Sequence, residues 1–183
     1  MDGPLNDFKN MNTPYHIIEV ANTHGGNIEY MEELINSFSE LKGNFGIKFQ
    51  AFHQDKISTP DFSFYNVYKE LNFTREQWAN LIQKASATKD VWLDIFDEYG
   101  VQVLKDQVNL IHGIKFQSSV LYNYEVFKEL ALSNLSDKKI ILNVAAQPIE
   151  DIKSIIERVQ QELKPQEILL EFGYQAYPTS FED

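Results

Sequence analysis

The sequence of 183 residues lacks cysteine, lacks long apolar runs and is poor in basic side chains. Without cysteine the chain has no disulfide, thiolate metal site or cysteine nucleophile, although its redox compartment stays undetermined. The apolar runs are far shorter than the roughly 20 residues of a membrane span. Sixteen basic against 27 acidic residues give a net charge of −11, which argues against nucleic-acid and membrane partners. No secretory signal is visible either, so we expect a soluble, cytoplasmic protein.

Short apolar runs alternate with stretches that have helical periodicity along nearly the whole chain. One such stretch, Trp78, Leu81, Ile82 and Ala85, predicts a helix whose start is marked by a capping box at Thr74 and Gln77. The runs predict six strands, at residues 16–20, 45–50, 91–96, 110–116, 139–144 and 167–172. Strands that are apolar along nearly their whole length are typical of parallel sheets that are covered on both faces or closed on themselves. We therefore predict an α/β domain over residues 15–183, preceded by a flexible leader at residues 1–14.

Charged and amide side chains inside these strands need an explanation. Because strand residues alternate sides, Lys48 and Gln50 share one face, and Lys115 and Gln117 repeat the pattern in a near-copy of the same segment. Each could be solvated at a strand end or paired in an ion pair without function. Two lysines in the middle of strands also suit a phosphate or carboxylate ligand at the carboxyl ends of the strands.

Histidine patterns give little sign of a metal site. His24 lies in a glycine-bearing turn after the first strand, where it could contact a ligand, although a lone loop histidine is more often exposed. His16, His53 and His112 lack metal-ligand spacing and are interpreted as structural. The sequence also has no Walker loop, no GxGxxG and no HExxH.

Six segments in chain order resemble strand motifs of the sialic acid synthase (N-acetylneuraminate synthase) family. The family motifs A-E-I-G-x-N-H-N-G, V-K-F-Q, S-T-P-F-D, K-I-A-S-G-D-L-T-N, L-S-T-G-M-A-T-L-E-E-I and L-L-H-C-x-x-x-Y-P-T correspond to residues 19–26, 47–50, 96–97, 115–123, 142–152 and 169–179. The third motif is matched only in its tail, and the sixth has one extra residue. The resemblance extends from Tyr15 to the end of the sequence.

This resemblance implies a TIM-type βα barrel, here incomplete, with about six of eight parallel strands. It implies a transferase that condenses phosphoenolpyruvate with an N-acylmannosamine-type sugar to a nine-carbon 2-keto acid. It also implies a divalent metal, manganese or magnesium, whose histidine ligands belong to later strands and are not expected in this chain. The residues that it places in the site are Glu19, Lys48 and Lys115 as catalytic groups, and Gln50, Ser118, Asn143, Gln175 and Tyr177 as substrate contacts.

Several positions depart from the family pattern. Asp94 stands where the family has a threonine that contacts phosphoenolpyruvate, and its carboxylate would repel that anion. Asn143 replaces a serine, and the sixth-strand histidine is missing from a segment that contains Glu171. The resemblance further predicts that the open sheet edges are covered by a second copy of the chain or by a C-terminal part that is absent from this sequence.

Three functional hypotheses follow. The first is a synthase whose chemistry needs residues beyond this chain. The second is a diverged, non-catalytic relative that binds a sugar or a protein partner. The third is another sugar- or phosphate-processing barrel that uses Glu19, Asp94 or Glu171 as acid and base.

Overall fold

The computed structural model describes residues 14–145 and 147–173. Six strands alternate with helices along the chain. The strands are β1 (His16–Glu19), β2 (Phe45–Ala51), β3 (Asp90–Ile95), β4 (Ile111–Phe116), β5 (Lys139–Asn143) and β6 (Glu167–Glu171). The helices are α1 (Ile28–Ser39), α2 (Gln54–Ile57), α3 (Tyr65–Glu70), α4 (Arg75–Ser86), α5 (Glu98–Asp106), α6 (Tyr124–Leu130) and α7 (Ile149–Glu162), with short 3-10 helices at Val108–Leu110 and Ser118–Tyr122.

All six strands are parallel, and their order in the sheet follows their order in the chain. The sheet curls into a half-barrel with an inner face and a helix-covered outer face, as successive right-handed crossovers produce. Within the described part of the chain, β1 and β6 each pair on one side only. The prediction of an incomplete TIM-type barrel is confirmed. The predicted leader lies, apart from Pro14, outside the described residues.

The hydrophobic core lies between the outer face of the sheet and the helices. Phe49 and Leu93 on the outer face are fully buried, and Trp78 of α4 packs on Phe49 with a ring separation of 5.9 Å. The predicted capping box is present at the start of α4, where Thr74 and Gln77 each accept a hydrogen bond from the other's backbone. Cap and core together fix where α4 begins and which side of it faces the sheet. No helix among the described residues is long and apolar enough to cross a membrane.

Trp92 fills the inner face near the amino ends of the strands. It lies between two glycines on the neighbouring strands, and a Cβ atom added to Gly113 would approach the Trp92 ring to 2.4 Å. A Cβ atom on Gly46 would come within 2.7 Å of Trp92 Nε1. That nitrogen donates a 2.8 Å hydrogen bond to the hydroxyl of Tyr15, which donates in turn to Asp90 Oδ2 at 3.0 Å. The amino end of the half-barrel is therefore closed by packed rings.

Candidate functional site

Strand register places the polar residues of the inner face beside one another. In the parallel ladder Glu19 is the partner of Lys48, and Asp94 lies between Gln50 and Lys115. Register partners on adjacent strands point to the same side of a sheet. The residues that the sequence singled out as polar groups within apolar strands therefore share the inner face, toward the carboxyl ends of the strands.

Lys48 is held by two carboxylates. Its Nζ lies 2.5 Å from Glu19 Oε2 and 3.1 Å from Asp94 Oδ2, and Gln50 Nε2 donates to the same Asp94 oxygen at 3.1 Å. Asp94 is completely buried, whereas the Glu19 side chain is 45% exposed. Burial by itself would lower the pKa of Lys48, but the charges and hydrogen bonds of Asp94 and Glu19 outweigh burial and raise that pKa. Lys48 is thus a cation across the physiological pH range.

Lys115 has a different kind of partner. Its Nζ lies 2.8 Å from Glu171 Oε2, and the Glu171 side chain is 46% exposed while that of Lys115 is only 10% exposed. Glu171 belongs to β6, two strands away from β4, so the curl of the sheet and not adjacent pairing brings the two groups together. An exposed carboxylate can rotate into water at little cost, which leaves Lys115 able to accept another anion.

One cavity joins the two lysines. It has a volume of about 340 Å³, and its lining includes Lys48 and Lys115 together with both exposed carboxylates, Glu19 and Glu171. Four apolar residues complete the wall: Ile17, Ile141, Leu169 and Leu170. Apolar walls around a few converging charges are typical of small-molecule sites. The cavity can therefore hold a compact anion of a few carbon atoms.

Of the remaining predicted site residues, Gln50, Ser118 and Asn143 lie outside the lining of this cavity. Asn143 is buried, with its Oδ1 accepting from the backbone of Ala145 at 3.0 Å. Gln50 Nε2 donates a hydrogen bond to Asp94 Oδ2. Ser118 is half-buried and begins the 3-10 helix that follows β4, outside the cavity lining. Gln175 and Tyr177 lie outside the described residues.

Two buried groups anchor the loops at the carboxyl ends of the strands. His24, expected to be exposed, is 2% exposed, packs on the Phe73 ring at 4.6 Å and accepts from the Gly26 backbone. Burial lowers the pKa of His24, so the neutral ring is favoured. Asp97 caps α5 by accepting from Gly100, and it also accepts from the backbone of His53 at 2.7 Å. Asp97 therefore ties the loop after β3 to the loop after β2, which holds the strand ends in place.

A metal site does not emerge from the residues at hand. Within residues 14–145 and 147–173, no three His, Asp or Glu side chains are grouped so that they could hold a metal ion. The carboxylates of Glu19 and Asp94 face one position, but the ammonium group of Lys48 fills it and contacts both. The described residues therefore do not fit the divalent metal that the family resemblance implied.

Comparison with known proteins decides the family. The NeuB family model matches residues 34–183, most of the chain. The chain belongs to the NeuB family. This finding confirms the family resemblance drawn from the strand motifs. A relative in sequence, an uncharacterized protein of Methanocaldococcus jannaschii, is 24% identical over 168 residues, which cover 91% of this chain and 48% of that protein.

Solved structures agree on the fold. The N-acetylneuraminic acid (sialic acid) synthetase from Leptospira borgpetersenii, determined in complex with citrate, has a TM-score of 0.78 and 21% identity over 94% of this chain and 58% of its own. A spore coat polysaccharide biosynthesis protein from Bacillus subtilis has a TM-score of 0.69 and 20% identity over 93% of this chain and 46% of its own. The NeuB chain described here thus spans about half the length of the relatives it matches.

Proposed function

We propose that this chain contributes the phosphoenolpyruvate-binding part of a sialic acid synthase-like enzyme, which condenses phosphoenolpyruvate with an N-acylmannosamine-type sugar to a nine-carbon 2-keto acid. Membership of the NeuB family supports the reaction class. The observation that carries the proposal is the convergence of Lys48 and Lys115, from β2 and β4, on one cavity of about 340 Å³. Two nearly buried ammonium groups in an apolar-walled cavity favour an anionic ligand over a neutral one.

The lysines bind the substrate anion in this proposal. A phosphate or carboxylate group entering the cavity displaces Glu171 from Lys115 and Glu19 from Lys48, because both carboxylates can turn outward into solvent. Ile141 and Leu169 lie on the walls and exclude water from the bound enol, which strengthens its contact with the ammonium groups.

The chemistry requires one new carbon–carbon bond and one hydrolysis. C3 of phosphoenolpyruvate attacks the aldehyde carbon of the open-chain sugar, water adds to C2, and the C2–O bond breaks to release inorganic phosphate and leave the 2-keto group. We assign the orientation of that water to Glu19, whose carboxylate lines the cavity and contacts both Lys48 and the backbone of Ala21. Once the substrate anion has replaced Glu19 at Lys48, Glu19 Oε2 is free to accept a hydrogen bond from the water.

The experiment is a direct binding measurement followed by turnover. Phosphoenolpyruvate added to the purified chain should raise the unfolding temperature, because a ligand that binds only the folded state stabilises it by RT ln(1 + [L]/Kd). Lys115→Met should lose at least about tenfold in affinity, since it removes the ammonium group with the movable partner. The matched control is Lys153→Met, which removes a lysine whose side chain is 85% exposed on α7 and should bind as the wild type does.

Turnover is measured on the whole enzyme of which this chain is a part, mixed with phosphoenolpyruvate, N-acetylmannosamine and manganese, by assaying both phosphate and 2-keto acid. The two products should appear in equal amounts. Binding of phosphoenolpyruvate that is unaffected by Lys115→Met would contradict the proposed pocket. Phosphate release without 2-keto acid would contradict the condensation.

A second function has its own supporting observation. Both lysines of the cavity already have carboxylate partners, so their charges are neutralised without a ligand. Such neutralisation is what we expect of a protein that has retained the fold of the family without its catalytic activity. A non-catalytic relative of this kind would bind a sugar or a protein partner instead. Affinity for N-acetylmannosamine together with no measurable affinity for phosphoenolpyruvate would favour this alternative over the synthase.

A further inference from the structure

The ion-pair network beside the cavity, which includes the buried Asp94 behind its wall, carries more negative than positive charge. In the part of the chain that the structure describes, the ion-pair network of the inner face joins two ammonium groups, of Lys48 and Lys115, to three carboxylates. A site for an ester with several negative charges is expected to be net positive. The excess carboxylate is therefore the feature that decides which anion the cavity accepts.

The three carboxylates differ in their freedom to leave. Glu19 and Glu171 are nearly half exposed, so an incoming anion can replace each of them at its lysine. Asp94 is completely buried on a central strand and is also held by Gln50 Nε2 at 3.1 Å. Turning Asp94 away from Lys48 would leave an unpaired charge in the protein interior, without the ion pair that offsets its lost solvation. Asp94 therefore stays at Lys48 whether or not the cavity is filled.

We infer that Asp94 is the residue that sets the anion specificity of this cavity, by occupying Lys48 permanently and leaving Lys115 as the main anion contact. The inference rests on the proposed function, since it concerns the same pocket. The ligand group with the higher charge then binds at Lys115. The group near Lys48 meets an ammonium whose field is offset by Asp94, and a less charged or neutral oxygen is preferred there.

Asp94 acts through Lys48 and is a positioning residue, so its test needs a readout that a structural role would not move. The readout is a gain of binding. Asp94→Asn keeps the size of the side chain and removes its charge, and it should tighten phosphoenolpyruvate about tenfold. Inorganic phosphate, measured in the same calorimetric titration, should gain by a similar factor, whereas the affinity for neutral N-acetylmannosamine should stay the same.

Two further variants separate Asp94 from its surroundings. Glu19→Gln removes the exposed partner of Lys48 and should change phosphoenolpyruvate affinity less than about threefold, because Asp94 still holds the ammonium. Glu32→Gln is the control for net charge, since Glu32 pairs with Lys84 at 2.8 Å on the helical surface, and it should leave the affinity unchanged.

Each outcome decides the inference. Equal or weaker phosphoenolpyruvate binding by Asp94→Asn, with a wild type that does bind it, would overturn the role of Asp94 and leave the proposed function intact. A comparable gain in Glu32→Gln would reduce the effect to net charge and overturn it too. Should Asp94→Asn fail to fold, a tenfold gain in Glu19→Gln would still contradict the inference. No binding of phosphoenolpyruvate by the wild type or any variant would instead remove the proposed function, and the inference with it.

Discussion

The two ends of the inner face are built on opposite plans. Toward the amino ends of the strands, Trp92 fills the space between Gly46 and Gly113, and its ring nitrogen donates a hydrogen bond to the hydroxyl of Tyr15. Toward the carboxyl ends the same strands carry Asp94 and Lys115, and a cavity of about 340 Å³ opens beside Lys115 and Lys48, the register partner of Trp92. Ring packing is rigid and dry, whereas ion pairs with exposed carboxylates can exchange partners.

The difference locates stability and function on separate layers of one sheet. Trp92 and Asp94 are two positions apart on β3, so a single strand contributes to both layers on the same face. The closed layer should therefore respond to lost or added volume, and the open layer to lost charge. Each of the following substitutions tests this difference between the two layers.

The largest effect on the free energy of unfolding is expected from removing the ring of Trp92. Trp92→Ala removes a ring that is 1% exposed and leaves Tyr15 without its donor, so the free energy of unfolding should fall by about 3–5 kcal/mol. Urea unfolding followed by circular dichroism measures this. Leu132→Ala, at a side chain that is 74% exposed, should change it by less than about 0.5 kcal/mol. Equal losses in the two variants would show that Trp92 does not close the half-barrel.

The open end should distinguish its two lysines. Lys48→Met leaves Asp94 buried beside an unneutralised Glu19 and should cost about 3 kcal/mol, because one partner of a buried pair has been removed. Lys115→Met leaves only the exposed Glu171 without a partner and should cost less than about 1 kcal/mol. The double variant Lys48→Met/Asp94→Asn should recover most of the loss. Similar unfolding free energies for the two single variants would contradict the asymmetry between the lysines.

Adding volume tests the closed end from the other direction. Gly113→Ala brings a methyl group to 2.4 Å from the Trp92 ring and 2.7 Å from the Lys139 carbonyl oxygen, so it should destabilise the protein by about 2 kcal/mol. Gly173→Ala is the control and should be nearly neutral, because among the described residues an added Cβ atom meets nothing within 4 Å apart from its chain neighbours. Thermal unfolding of both variants makes the comparison. A neutral Gly113→Ala would mean that the ring can move aside.

Much of the fold was predictable from the sequence, because strand runs and helical spacing recur regularly along it. The stripe of Trp78, Leu81, Ile82 and Ala85 predicted α4, and all four side chains are buried. The patterns did not single out α5 or α6, which are nine and seven residues long. So few turns give a periodic signal too little length to stand out.

The candidate site was predictable in part. Alternation along each strand predicted that Lys48 shares a face with Gln50 and Lys115 with Gln117, since the relative direction of side chains in a strand follows from their spacing. The partners of these lysines were not predictable. Asp94 contacts Lys48 through strand register, and Glu171 reaches Lys115 across an intervening strand through the curl of the sheet. Neither register nor curl can be derived from a single segment.

The smallest expected effect concerns His24, a buried residue in the loop after β1. His24 has a folded pKa below its ordinary value of 6.5 because it is buried, so its contribution to stability is complete above pH 6.5 and is lost as the pH falls through the folded pKa. His24→Gln should therefore flatten the decline of the unfolding free energy as the pH falls below about 6.5. His16→Gln, at an exposed position of β1, is the control for losing one histidine. An unchanged acid decline in His24→Gln would show that another group causes the loss of stability in acid.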